Sequence, residues 1–185
     1  MKKALELDPL SLVANRNLGT VLWGARRYDE AIEQLKQTIE MDPRFSVTHF
    51  ILGLCYFDKS MYEDALAAFK QAKRIERISS GLTGTSDVMI GVVEERLGSK
   101  GALERVLEQA IASPDSGKAY APFIGFGYLA AENPDRAFAW LSKNYREAGS
   151  WLPMILTSQL FDKHRAHAGY KALLKKIGLD KVLVL

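Results

Sequence analysis

The sequence predicts an all-α chain built from stacked antiparallel helix pairs, and three observations carry that expectation. Gly19, Gly53, Gly91 and Gly125 recur 34, 38 and 34 residues apart, each directly after a large aliphatic residue: Leu18, Leu52, Ile90 or Ile124. Glycine inside a helix costs about 1 kcal/mol relative to alanine, so four glycines at one phase imply a packing need, the close approach of a second helix. Asp8-Pro9 and Asp42-Pro43 lie one period apart and end helices, because proline lacks an N–H and restricts the residue before it. Between these marks apolar residues keep helical spacing, as in Glu30-Ala31-Ile32-Glu33-Gln34-Leu35.

The elements follow in chain order. Ala4, Leu7, Asp8 and Pro9 align with Thr38, Met41, Asp42 and Pro43, so residues 1–9 read as the end of a preceding second helix whose first helix is missing. That predicts a chain cut from a longer protein, or an amino end covered by a partner, since an unpaired repeat exposes its apolar stacking face. Repeats are expected at 12–45, 46–79, 84–117 and 118–150, with a tail over 151–185, all in one domain. Repeat one reads Leu18-Gly19, Leu22, Tyr28, Ala31, Leu35 and Pro43; repeat two reads Leu52-Gly53, Tyr56, Tyr62, Ala65, Phe69 and Ala72. Repeat four keeps Ile124-Gly125, Tyr128, Ala137 and Leu141. Repeat three is weaker, with Ile90-Gly91, Glu94, Leu103, Leu107 and Ala110. Gly19 and Ala31 are expected on facing sides of two antiparallel helices, where small residues let ridges enter grooves. Leu103 stands where the other repeats have alanine, which predicts wider helix spacing there. Ser79 to Ser86 is expected to be the main loop, and Asn133-Pro134-Asp135 to start the last second helix.

This pattern resembles the tetratricopeptide repeat family, whose 34-residue unit carries L-G-x-x-Y, then a small residue, a large one and Pro. The Trp common early in that family's first helix is replaced by Asn15, His49, Asp87 and Ala121. The resemblance implies a right-handed superhelix of helix pairs and a non-enzymatic, protein-binding role. The tail, from Trp151, predicts one or two further helices that cap repeat four. Its Trp151-Leu152, Phe161-Asp162 with Arg165, and Tyr170-x-x-Leu173-Leu174-x-x-Ile177-Gly178 resemble the carboxyl-terminal end of bacterial multi-domain regulators. In those, a winged-helix, cyclase or kinase domain precedes a tetratricopeptide array, which implies a regulatory scaffold module.

Composition narrows the function classes. The chain of 185 residues is 48% hydrophobic and 25% charged with a formal charge of +3, the balance of a folded chain. It has no dense Lys/Arg stripe, so no nucleic-acid partner is expected. No apolar run reaches bilayer-spanning length, and the opening MKKALELDP has no apolar core to make a secretory signal. One cysteine, Cys55, leaves no internal disulfide and fits a reducing compartment, so a cytoplasmic, membrane-free protein is expected.

Candidate chemistry is sparse. His164-x-x-His167 beside Asp162 has a metal-like spacing but lacks a third and fourth ligand, and reads as a solvent-exposed pair. Gly81-Leu82-Thr83-Gly84-Thr85-Ser86 lacks the lysine and preceding strand of a phosphate loop. Cys55, inside Leu54-Cys55-Tyr56, reads as buried and inert, and Glu94, Glu95, Glu104 and Glu108 as solvated helix faces. No catalytic residue, metal or cofactor is expected.

In the arrays this chain resembles, the first helix of each unit lines the concave side. The matching positions predict a largely apolar groove of Arg16, Thr20 and Trp23, then His49, Phe50, Leu54 and Phe57, then Val88 and Val92, then Phe126 and Leu129. The positions that hold a terminal carboxylate in chaperone-binding arrays read Arg16, Thr20, Ile51, Thr85 and Met89, of which Arg16 alone could serve, so no tight binding to acidic chaperone tails is expected. The groove is either open to a ligand or filled by the tail. The expected function is a scaffold that binds a peptide, a helix or an amino-terminal domain of the same protein. The alternative is a structural or oligomerisation module, including a homodimer.

Overall fold

Four helical hairpins share one connecting turn. The computed structural model describes residues 8–79, 85–113, 121–146 and 151–181. Its first hairpin is α1 (Leu12–Gly24) and α2 (Tyr28–Met41), its second α3 (Ser46–Asp58) and α4 (Tyr62–Ser79). The third is α5 (Thr85–Arg96) and α6 (Ala102–Ala112), the fourth α7 (Ala121–Ala130) and α8 (Pro134–Asn144). The tail forms α9 (Trp151–Ile155), a 3₁₀ helix (Gln159–His164) and α10 (Ala168–Ile177). No strand occurs among the described residues. The expected all-α stack of antiparallel pairs is therefore the observed one. Ser79, Thr85 and Ser86 lie in helices rather than in the expected loop, and residues 80–84 fall outside the described set.

In every hairpin the seventh residue after the repeat glycine is left-handed: Arg26 (φ 60°), Ser60 (φ 59°), Gly98 (φ 97°) and Glu132 (φ 56°). The bonds around it are the same each time. Arg26 N–H donates to the Trp23 carbonyl and Arg27 N–H to that of Leu22, at 2.8 and 2.9 Å; Ser60 and Met61, Gly98 and Ser99, and Glu132 and Asn133 repeat the pair. This pair of hydrogen bonds satisfies helix-terminal carbonyls that would otherwise be orphaned, which is why the chain accepts three non-glycine residues in a strained region.

The repeat glycines do make room, but for a side chain sixteen residues on rather than for Ala31 and its equivalents. A Cβ on Gly19 would lie 2.6 Å from Leu35, on Gly53 2.6 Å from Phe69, and on Gly125 2.5 Å from Leu141. Leu35, Phe69 and Leu141 are buried, each pressed into the notch its glycine leaves. Ala31, Ala65 and Ala137, also buried, are a turn away on the same helices.

Repeat three departs from this. After Gly98 its turn runs on to Gly101, also left-handed at φ 75°, so α6 starts later. Val106 then faces Gly91, where a Cβ would lie 3.1 Å from it and 3.4 Å from the Ala102 carbonyl, so in this repeat the second helix's backbone itself comes close to the glycine. Leu107 turns toward the next hairpin, where it comes within 2.8 Å of a Cβ placed on Gly127, with Leu103 at 3.5 Å. Asn133 caps α8 by accepting from Arg136 N–H, with Pro134 in the first turn.

The tail divides in two. α10 packs on α8, with Tyr170 5.8 Å from Phe138, and so caps the fourth repeat as expected. Residues 151–164 instead run back over α7 and α3 to the turn that follows α1.

Candidate functional site

The first helices form the face predicted to be concave, and the 151–164 segment lies on its α3 and α7 portions and on the turn that follows α1. Trp151 stands edge-on to Phe50 at 5.8 Å and to Phe123 at 5.6 Å, rings that meet each other at 5.0 Å. Further along, Phe161 packs against Phe126 at 6.1 Å and Phe138 at 6.4 Å. Edge-to-face ring pairs of this kind contribute about 0.5–1.5 kcal/mol each beyond their area burial.

Polar contacts fix the register. Ser158 Oγ donates to Asp58 Oδ1 at 2.7 Å, and Trp23 Nε1 donates to Asp58 Oδ2 at 2.8 Å. One carboxylate thus joins repeat one, repeat two and the tail. Arg26 forks onto Asp162, with Nη1 2.7 Å from Oδ2 and Nη2 2.6 Å from Oδ1, and its Nε and Nη2 also donate to the Thr157 carbonyl at 3.2 and 3.0 Å. Arg165 shares Asp162 at 2.8 Å. A bidentate guanidinium–carboxylate pair is directional as well as charged, so it sets where the segment lies. Lys163 pairs with Glu132 on the turn of repeat four.

Asp58 is the unusual member of the site. It is 8% exposed, and burial pushes its carboxyl up to about 6, against the bonds from Ser158 and Trp23 and the charge of Arg26, which favour ionisation. Asp162 is held below the usual carboxylate range by its bond to Arg26. Burial raises the Cys55 thiol well above its ordinary value, so it is packing rather than a nucleophile.

The residues predicted to line a groove fall into two sets. Trp23, His49, Phe50, Leu54, Phe57, Val88, Val92, Phe126 and Leu129 are buried. Arg16 and Thr20 are half-buried; Thr20 Oγ1 bonds the Arg16 carbonyl, and the Arg16 guanidinium lies 5.9 Å from the Phe45 ring. Of the two alternatives for this face, the chain's own tail occupies it. His49 Nε2 donates to the Pro43 carbonyl at 2.9 Å, which ties α3 to the turn before it. Ile51 and Met89, two of the carboxylate-holding positions of chaperone-binding arrays, are fully buried.

Sequence reasoning missed Asp58, Ser158, Arg26 and the pairing role of Asp162. A carboxylate closing the apolar run Ile51 to Phe57 was the available signal. His164 and His167 are also more than an exposed pair. His167 caps α10 by accepting from Gly169 N–H at 3.1 Å and meets Asp135 at 3.3 Å, while His164 stands edge-on to Phe138. Glu94 pairs with Lys70, and Glu95 accepts from Leu103 N–H at the start of α6. Among the described residues no three His, Cys, Asp or Glu side chains gather as a metal site, and no helix is long and apolar enough to cross a membrane. A second concavity, a cleft of about 430 Å³ between α6 and the fourth hairpin, is lined by Leu107, Glu108, Ile111, Tyr128 and Arg136 among others.

Comparison with known proteins agrees with this architecture. The tetratricopeptide repeat profile matches residues 16–80. No curated protein sequence matches the chain. Among solved structures, the chain is similar to YrrB, described as a TPR protein with an unusual peptide-binding site, at 16% identity and a TM-score of 0.54 over 98% of this chain and 93% of that one. It is also similar to MamA, at 23% identity and a TM-score of 0.52 over 79% of this chain and 83% of that one; a second MamA structure gives 0.51. At such identities the likeness shows the fold alone. The tetratricopeptide repeat profile thus covers residues 16–80, and the described chain folds as a stack of helical hairpins similar to those of these solved structures.

Proposed function

We infer that the chain is a non-enzymatic protein-interaction scaffold whose docking surface is the first-helix face, held in this structure by residues 151–164. The observation that supports this is the seating of that segment. It lies along the face with rings in apolar notches, a hydroxyl on a buried carboxylate and a carboxylate on an arginine fork, the mixture by which peptide segments are recognised. A partner peptide, a helix, or an attached amino-terminal domain of a larger regulatory protein reaches Phe50, Phe57 and Phe126 when the segment yields. Native-state hydrogen exchange tests the reading. Amides of 151–164 should exchange at a lower opening free energy than those of α3 and α4. Exchange of the segment only through global unfolding would make it permanent core and remove this face as a docking surface.

The oligomerisation reading has one observation in its favour. Leu10, Val13 and Val21 are 77%, 53% and 52% exposed, the last two on α1. Sedimentation at several concentrations decides it: a monomer at every concentration removes pairing through that stripe.

A further inference from the structure

Residues 151–164 fill their seat in short pieces, with Leu152, Ile155, Leu156 and Phe161 buried against the repeats. α9 has five residues and the 3₁₀ helix six, lengths that do not hold their shape without the surface beneath them. The ion pairs that bind the segment to the repeats, Arg26–Asp162 and Lys163–Glu132, are each a third or more exposed and so are screened by salt. Asp58 sits under the segment with neutral donors, Trp23 and Ser158 among them, and no ion pair among the described residues, so closing the seat takes a carboxylate out of water.

We propose that this seat accepts a partner protein through a segment that repeats the tail's chemistry: an aromatic ring, a hydroxyl seven residues on, and an aromatic–carboxylate pair three and four residues after that. The spacing is that of Trp151, Ser158, Phe161 and Asp162. Each requirement has its receptor: Phe50 with Phe123, Asp58, Phe126 with Phe138, and Arg26. The proposal rests on the reading of the first-helix face as a docking surface and adds what the face selects. Because the chain's own segment is tethered, it acts at an effective concentration in the millimolar range, and a free peptide competes poorly until that segment is weakened.

The test uses the full chain carrying Ser158→Ala and Asp162→Asn, which removes two anchors of the tethered segment and leaves the seat intact. A labelled synthetic peptide spanning Trp151 to Arg165 is titrated by fluorescence anisotropy. It should bind this variant about tenfold or more tighter than the unaltered chain, and a peptide carrying Asp162→Asn should bind about tenfold weaker. Adding Arg26→Ala to the chain should abolish the difference between the two peptides. Equal binding of both peptides, or binding of neither, overturns the proposal. So does a variant that dimerises with rising concentration, which would assign the seat to the segment of a second copy. Should the double variant fail to fold by circular dichroism, Asp162→Asn alone carries the test, because its ion pair is solvent-accessible. Hydrogen exchange of the unaltered chain separates the two levels. Independent opening of 151–164 with no peptide preference retires the motif and keeps the docking face; exchange only on global unfolding retires both.

Discussion

Arg26 holds Asp162 across 136 residues of chain, and it does so from a left-handed backbone position. Every hairpin needs a left-handed residue there to close its turn. In repeat one the side chain that the turn projects is the one that grips the tail. The same geometry recurs at Glu132, whose left-handed backbone presents a carboxylate to Lys163. The repeat turn thus serves both the hairpin and the seating of the segment.

Two substitutions separate these roles. Arg26→Gly loses the fork but relieves the backbone, whereas Arg26→Ala loses the fork and keeps the strain. Arg26→Ala should therefore be the less stable of the two by about 0.5–1 kcal/mol in urea denaturation. The fork itself is partly exposed, with side-chain exposures of 35% and 38%, and should contribute no more than about 1 kcal/mol, shrinking as salt is added. Equal stability of the two variants would show that the left-handed turn costs nothing here.

Asp58 predicts an unusual pH dependence. Its folded pKa of about 6 lies above the ordinary value of 3.8, so the folded chain binds the extra proton between those values. The stability this contributes is fully present below about pH 4 and is lost as pH rises through about 6, opposite to the trend for a salt-bridged carboxylate. Asp58→Asn keeps an acceptor for Trp23 and a donor for Ser158 but cannot titrate. The stability of the variant relative to the unaltered chain should therefore grow by about 2–3 kcal/mol between pH 4 and pH 7. Arg26, Tyr28 and Cys55, which feel the Asp58 charge, stay protonated between pH 4 and pH 7, and Asp162 is held below its ordinary range by Arg26, so none of them titrates across that interval. A difference that does not move with pH would show that Asp58 is solvated.

The repeat glycines should respond according to the space each faces. Gly53→Ala drives a Cβ to 2.6 Å from the rigid, buried Phe69 ring and should cost about 1–3 kcal/mol; Phe69→Leu should recover part of it. Gly24→Ala, on the last residue of α1, meets nothing nearer than Thr157 Oγ1 at 3.7 Å and should stabilise by up to about 1 kcal/mol. Gly91→Ala, 3.1 Å from Val106, should fall between them. Thermal denaturation of the three variants gives the order.

The helix pairs were legible because their signals are local: a glycine after a large aliphatic residue, prolines after aspartates, and a 34-residue period. The partner of each glycine was not, since Leu35 rather than Ala31 meets Gly19 only once the length and hand of the turn are known. The seat was hidden for a different reason. Trp151, Phe161 and Asp162 stand out in the sequence, but nothing local says that the two rings pack on α3 and α7 or that Asp162 meets Arg26 across 136 residues. Asp58 reads as the polar end of an apolar helix until Ser158 and Trp23 are seen on it. Long-range polar contacts of this kind have no period and leave no trace in spacing.

Repeat three gives the sharpest test of how context overrides the pattern. At the position where the other repeats have a buried alanine it has Leu103, and a consensus argument would restore alanine to improve the hairpin. The structure argues the reverse. With α6 started later, Leu103 and Leu107 fill the space left by Gly127 on α7, so they join the third hairpin to the fourth. Leu103 is 3% exposed, and Leu103→Ala should open a cavity at that junction at a cost of about 2–4 kcal/mol. Gly127→Ala should also destabilise, because its Cβ would meet Leu107 at 2.8 Å. If the two losses arise at one junction, the double variant should be better than their sum, since the added methyl occupies part of the space that Leu103 leaves. Guanidinium denaturation of the four chains in this cycle measures that coupling, and strict additivity would mean that Leu103 and Gly127 do not share a packing site.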